Sequence, residues 1–114
     1  MKFKLIQDKY RNNRGGHSQF INIYCAACNT YLLLYQKDGF KRQQLKRIYI
    51  DRIIAPQNAV AQSGKLICPN CEKVIGLPIM YQKEDRSAIS LKFGDFIRRP
   101  STGLYPPKNL SKKV

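Results

Sequence analysis

Polar and apolar residues alternate along much of this chain, at the period of two that a half-buried β-strand requires. Over Gln19–Tyr24, Ile21 and Ile23 fall on one face and Phe20, Asn22 and Tyr24 on the other. Tyr31–Tyr35 reads as a second strand, antiparallel to the first across the short segment between them. Lys37-Asp38-Gly39-Phe40 is a turn, because Asp-Gly supplies the positive φ that such turns need. Ahead of these elements, Phe3–Gln7 has the length of a short edge strand, and Lys9–Gly16 reads as a basic loop ending in glycine. The stretch Arg42–Ile54 supports two periods. Leu45, Ile48, Tyr49, Arg52 and Ile53 fit helical spacing, whereas Ile48 and Ile50 fit a strand. Crowded β-branched residues favour a strand over Lys46–Asp51, and Pro56 closes this stretch. Gln57–Gly64 reads as a loop or a single helical turn.

Further strands are expected on either side of a second short segment, with Lys65-Leu66-Ile67 entering and Val74–Gln82 leaving. Pro78 places the latter at an edge or a bulge. Glu84-Asp85-Arg86 is a turn. Ser87–Phe93 then alternates, with Ile89, Leu91 and Phe93 on one side and Ala88, Ser90 and Lys92 on the other. After Phe96-Ile97 and Arg98-Arg99 the pattern stops. Gly103, Pro106, Pro107 and three lysines make the end of the chain an extended or disordered basic tail that orders on a partner. The pattern predicts a mostly β domain over residues 1–99 and a tail over 100–114.

Composition sharpens this picture. The 114 residues hold 21 Lys and Arg against 7 Asp and Glu, so the net charge is 21 − 7 = +14. Such an excess on a small domain costs self-repulsion and favours polyanions. Nucleic acid, RNA or DNA, is the expected partner, with the chain acting alone or as a component of a larger assembly. The longest apolar-rich stretches, Tyr31–Tyr35 and Val74–Tyr81, fall far below the ~20 residues of a spanning helix. The apolar residues at the N-terminus are too few for a signal core. No basic amphipathic helix stands out, so a membrane partner is not expected. The chain reads as intracellular, cytoplasmic or nucleoid-associated.

Four cysteines carry the strongest chemistry. They form two C-x-x-C pairs, Cys25-Ala26-Ala27-Cys28 and Cys68-Pro69-Asn70-Cys71. Two residues between thiolates let one tight turn present both sulfurs to one cation, and two such turns supply the four tetrahedral ligands that Zn²⁺ prefers. Asn29 and Gly76 are placed to help the chain curl around the sulfurs. Disulfides fit a secreted chain better. A redox dithiol expects one pair opening a helix in a βαβ setting, and an iron–sulfur cluster is chemically compatible with four thiolates. The symmetric pairs favour one structural Zn²⁺ on Cys25, Cys28, Cys68 and Cys71. Four thiolates fill the coordination shell, so such a site holds the fold together and does not catalyse. The 39 residues between Cys28 and Cys68 exceed the roughly 15–20 of a compact zinc ribbon. They leave room for further strands, so the metal would pin two hairpins that are distant in sequence.

The run Cys68-Pro69-Asn70-Cys71-Glu72-Lys73-Val74-Ile75-Gly76, then a strand, a short turn and Ser87–Ile97, resembles the second half of a Yippee-type domain. Cys25-Ala26-Ala27-Cys28-Asn29-Thr30-Tyr31-Leu32 resembles the first half. The likeness covers roughly residues 20–99. It implies the zinc-bearing β-tent group, which includes the thalidomide-binding domain of cereblon, where two β-sheets meet at a Cys₄ zinc. It would make the chain a zinc-ribbon-like or β-tent domain with two zinc-knuckle hairpins. Leu77-Pro78 replaces the aromatic run that follows the glycine in Yippee proteins, and tryptophan is absent, so an aromatic ligand cage has no counterpart.

Basic residues cluster at Lys37, Lys41, Arg42, Lys46, Arg47 and Arg52, interleaved with Tyr35, Phe40 and Tyr49. Cations for phosphates and rings for stacking are what single-stranded nucleic-acid surfaces combine. Arg98 and Arg99, with Lys108, Lys112 and Lys113, form a second group, and Lys2, Lys4, Lys9, Arg11 and Arg14 a third. Asp51-Arg52 also suits an internal ion pair. His17 is the sole histidine, and neither Ser18 nor Asp51 stands at a spacing that supports a Ser/His/Asp site. The expected activity is non-enzymatic nucleic-acid binding. The alternative is a β-tent adaptor for a protein or small ligand, with the charge incidental.

Overall fold

A computed structural model describes residues 1–13, 15–39 and 44–107. Among the described residues the alternating stretches form eight strands in two antiparallel sheets. The strands are β1 (Ser18–Cys25), β2 (Tyr31–Asp38), β3 (Arg47–Tyr49), β4 (Ile53–Ala55), β5 (Leu66–Ile67), β6 (Val74–Tyr81), β7 (Arg86–Leu91) and β8 (Phe96–Ser101). The first sheet has the order β4-β2-β1-β8 and the second β3-β7-β6-β5. The chain passes from the second sheet to the first through a 3₁₀ turn at Ile50–Arg52 that joins β3 to β4.

The core lies between the sheets. Ile21, Ile23, Leu33 and Tyr35 from the first pack against Ile48, Ile75, Ile89 and Leu91 from the second. The alternation of β1 is real, yet its other face is also covered, so Phe20, Asn22 and Tyr24 are buried as well. Both ends of the described chain lie over that face. Gln36 on β2 accepts from the Ile6 backbone N–H (2.6 Å) and donates to its carbonyl (2.8 Å). Phe3 N–H donates to Gly103 and Tyr105 N–H to Met1. The rings of Tyr31 and Tyr105 lie 6.0 Å apart.

Several expectations are revised. Phe3–Gln7 forms no strand, because the Gln36 side chain takes the place of a neighbouring ladder; just ahead of it Lys2 makes an isolated bridge to Leu104. Lys9–Asn13 is a short helix (α1), not a loop. Asp8 caps it by accepting from the backbone N–H groups of Tyr10 and Arg11. The strand expected over Lys46–Asp51 shortens to β3, and the 3₁₀ turn that follows swings Arg52 inward. The sheet continues through the expected domain boundary, since Pro100 and Ser101 on β8 pair with Ile21 and Phe20. Residues 102–107 then return to the N-terminal segment, and 108–114 lie outside the described residues. Pro78 and Pro100 sit where a missing N–H costs little. β8 is an edge strand, and β5 covers β6 only near Val74 and Gly76, which leaves Pro78 on an open edge.

Two buried arginines tie these parts together. Arg52 is 1 % exposed and pairs with Asp8 (2.5 Å) and Asp38 (2.9 Å), joining the N-terminal segment to β2. Arg86 is 4 % exposed. It pairs with Asp51 and Glu84, and its guanidinium lies 3.8 Å from the ring centroids of both Tyr10 and Tyr49. The internal pair expected between Asp51 and Arg52 is thus exchanged for partners across the fold. Each buried charge keeps two carboxylates, which is what makes its burial tolerable.

Candidate functional site

The two C-x-x-C segments form turns of the same construction. Cys25 ends β1, and its carbonyl accepts from Asn29 N–H (2.8 Å) while its N–H donates to Thr30 (2.8 Å). Cys68 follows β5, and its carbonyl accepts from Glu72 N–H (3.0 Å) while its N–H donates to Lys73 (2.9 Å). In each, the residue after the second cysteine is left-handed: Asn29 at φ 64° and Glu72 at φ 63°. Asparagine tolerates that conformation, whereas glutamate carries a steric penalty there. Gly76 has a different role from the expected curl. It is buried in β6 opposite Leu66 and Leu91, and a Cβ there would lie 2.7 Å from the Ser90 carbonyl oxygen.

One turn belongs to each sheet, and the core brings them together. The four sulfurs lie within 4.8 Å of one another. The approaches across the turns are Cys25 to Cys71 at 3.7 Å and Cys28 to Cys68 at 3.5 Å. Sulfurs tetrahedral about one ion at zinc–sulfur bond lengths stand about 3.8 Å apart, so the cluster fits a single cation. Lys73 from the second turn pairs with Asp95 (3.1 Å), whose carbonyl accepts from Ala26 in the first. The Thr30 hydroxyl and the Asn70 side chain bond the Cys28 sulfur and pull its pKa down to about 5. At Cys71 the Lys73 backbone N–H also favours the thiolate. Desolvation and the neighbouring sulfurs outweigh it, and the pKa is pushed up to about 11. Four thiolates at this spacing repel one another, and only a cation among them makes all four favourable.

The proposed nucleic-acid residues divide into two sets. Arg52, Tyr35 and Tyr49 are interior. Arg52 is held by its two carboxylates, Tyr35 offers its hydroxyl oxygen to the Tyr49 backbone N–H (2.8 Å), and Tyr49 lies against Arg86. Burial also pushes the Tyr35 pKa up. These three hold the fold and present no surface to a strand. The second set is gathered around adjoining depressions. Lys37, Lys46 and Arg47 line one beside β3. Lys37, Arg98 and Arg99 line another beside β8. Arg98, Leu45 and Phe93 line a third. Lys46, Arg47 and Arg98 thus come from a loop, β3 and β8 onto one stretch of surface, whereas Lys37 is 6 % exposed and joins the interior set, and Arg99, opposite Asn22, faces the other side of the sheet from Arg98. Phe40, Lys41 and Arg42 lie outside the described residues.

Two participants are not evident from pattern alone. Phe93 continues the alternation of β7 in sequence, but the strand ends at Leu91 and the ring is 80 % exposed beside Arg98. Gln19 has a buried side-chain nitrogen with no hydrogen-bond partner; nothing in the sequence distinguishes it. Ser18 donates to Asp38 (2.7 Å) and accepts from Arg11 (3.0 Å), and Asp51 pairs with Arg86. Among the described residues no helix is long and apolar enough to cross a membrane. Comparison with protein-family models, with curated proteins and with solved structures gives no match. Roles for these residues therefore rest on the geometry above.

Proposed function

We propose that the chain is a structural-zinc protein of β-tent type that binds single-stranded nucleic acid through the surface bounded by β3, β8 and the turn after β7. The observation that carries the reading is the convergence of Lys46, Arg47 and Arg98, with exposed Phe93 beside them. The cations suit phosphates, and the ring suits a base face. Zinc on Cys25, Cys28, Cys68 and Cys71 would supply no chemistry to a ligand. It would fix the two hairpins whose sheets shape the surface. Two sheets joined at four cysteines support the β-tent comparison over a compact ribbon.

The test is a binding titration of the zinc-loaded chain against a short single-stranded oligonucleotide at two salt concentrations. Three phosphate contacts predict a loss of affinity of roughly 20-fold for a fourfold rise in salt. Absence of binding at low salt overturns the reading. A second reading, the adaptor, is favoured by one feature. β6 carries no charged residue and exposes Leu77, Ile79 and Met80 along an edge that β5 leaves open. Such an edge can accept a strand from a protein partner. Capture of one partner insensitive to nuclease and lost in Met80→Lys would favour it.

A further inference from the structure

The two cysteine turns differ in how far they stand out into solvent. In the first, Cys25 is buried and Ala26, Cys28 and Asn29 are half-buried. In the second, residues 69–74 are all exposed. The four thiols divide accordingly. Cys25 and Cys68 are buried, Cys28 is half-buried and Cys71 is exposed. The Cys28 sulfur is also hydrogen-bonded to the Thr30 hydroxyl (3.0 Å) and to the Asn70 side chain. A reagent arriving from water therefore meets Cys71 first.

The chemistry of the donor set says what such a reagent would do. Zn²⁺ has no redox chemistry of its own, so oxidation at this centre falls on sulfur. The thiolate is the nucleophilic form of cysteine, and four thiolates carry more negative charge than one divalent cation neutralises. An oxidised thiolate needs a second thiol within reach to form a disulfide. Cys25 Sγ lies 3.7 Å from Cys71 Sγ, and Cys28 Sγ lies 3.5 Å from Cys68 Sγ. Each of these pairs crosses from one sheet to the other. Cys25 ends β1 of the first sheet, and Cys71 lies between β5 and β6 of the second.

We propose that Cys71 is an oxidation site, with Cys25 as its resolving thiol, and that together they make the metal centre a peroxide-sensitive switch. The Cys71 thiolate attacks one oxygen of a hydroperoxide, the O–O bond breaks, and hydroxide leaves. The Cys25 thiolate then attacks the Cys71 sulfur, the S–O bond breaks, and a second hydroxide leaves as the S–S bond forms. Two electrons pass from the sulfurs to the peroxide. The centre is left with two ligands and releases its metal. The new bond joins the sheets where the cation joined them before, whereas a bond between Cys68 and Cys71 would close one turn and leave the sheets unlinked. A dithiol reductant returns both thiolates. The proposal goes beyond the nucleic-acid reading and rests on the four-cysteine metal centre alone.

The experiment measures zinc per chain, then treats the zinc-loaded full chain with hydrogen peroxide and follows zinc release with a chromogenic chelator. The expected product has released its zinc and weighs less than the reduced chain by two hydrogens. Cys25 and Cys71 fall in different tryptic peptides, whereas Cys68 and Cys71 share one. The expected bond therefore appears as two linked peptides, and their fragment spectra place it on Cys25 and Cys71. Dithiothreitol with added zinc should restore the metal content. Brief treatment of the untreated zinc-loaded chain with iodoacetamide should put about tenfold more of the first label on Cys71 than on any other cysteine. Cys71→Ser should slow peroxide-driven zinc release by about tenfold; if that variant holds no zinc, the labelling of the wild-type chain decides. Zinc retained through prolonged peroxide exposure overturns the switch. So does a bond between Cys68 and Cys71, or a gain of oxygen that the dithiol does not reverse. A first label on Cys25, Cys28 or Cys68 overturns the assignment of Cys71. A chain that carries no zinc before peroxide ends the metal reading and this proposal with it, whereas a chain that carries zinc and keeps it ends this proposal alone.

Discussion

Single residues decide how this fold tolerates its charges. Asp8 is hydrogen-bonded by Arg52, and despite partial desolvation its pKa is lowered from 3.8 to about 2. A carboxylate depressed in the folded state contributes stability that is full above its unfolded pKa and is lost as pH falls through its folded pKa. The contribution should therefore be present at pH 5 and disappear between about pH 4 and pH 2. With the carboxylate about a third exposed, we expect about 1–2 kcal/mol from it at neutral pH. Urea midpoints measured across that range should fall less steeply for Asp8→Asn than for wild type. Metal release in acid is common to both chains, so the difference between them isolates Asp8; parallel curves would refute the assignment. Glu72 supplies a second case. Its left-handed φ is imposed by the turn around Cys71, so Glu72→Gly should raise the unfolding midpoint by about 0.5–1 kcal/mol of stability. A loss on that substitution would show that the glutamate side chain itself contributes.

Elements show where two strands need more than alternation. β6 and β7 approach closely at Gly76, where a side chain would meet the Ser90 carbonyl and Ile89. Gly76→Ala should cost about 1–3 kcal/mol as the pair separates or shifts, read as a lowered midpoint with unchanged metal content. Retention of full stability would mean that the sheet yields there. Beyond Gly76 the same strand is uncharged and open at its edge, the form most prone to pair with another chain. Met80→Lys should reduce concentration-dependent association while leaving the fold intact, and light scattering across a concentration series would measure it.

The whole molecule depends on the centre between the sheets. A chain of 114 residues has a modest core, and here the core ends in four sulfurs contributed by both sheets. Elemental analysis should give one zinc per chain, and a strong chelator should unfold the β structure, since structural zinc can contribute ~10 kcal/mol or more. Iron in its place, or circular dichroism unchanged after complete metal removal, would defeat this prediction. Any one Cys→Ser change should act in the same direction. A net charge of +14 adds self-repulsion that raised salt relieves. Salt should therefore stabilise the protein while weakening its hold on a polyanion.

The sequence by itself determined the strands around the cysteines and the metal ligands, because both are written in short-range signals. Period-two alternation places Ile21, Ile23, Ile89 and Leu91 on their faces. The repeated C-x-x-C spacing points to two equivalent turns around one cation, and the structure forms both. Only the tertiary structure decided which charges are working parts of the core. Arg52 and Lys46 are both basic residues in one basic stretch, yet Arg52 meets Asp8 and Asp38 from distant segments and is buried, while Lys46 meets solvent. Likewise Tyr35 and Tyr49 look like stacking rings until the second sheet covers them. Phe93 looks like core until its strand ends two residues earlier. Burial and ion pairing are sums over contacts far apart in the chain, and alternation along one strand shows which residues share a face but not what lies against it.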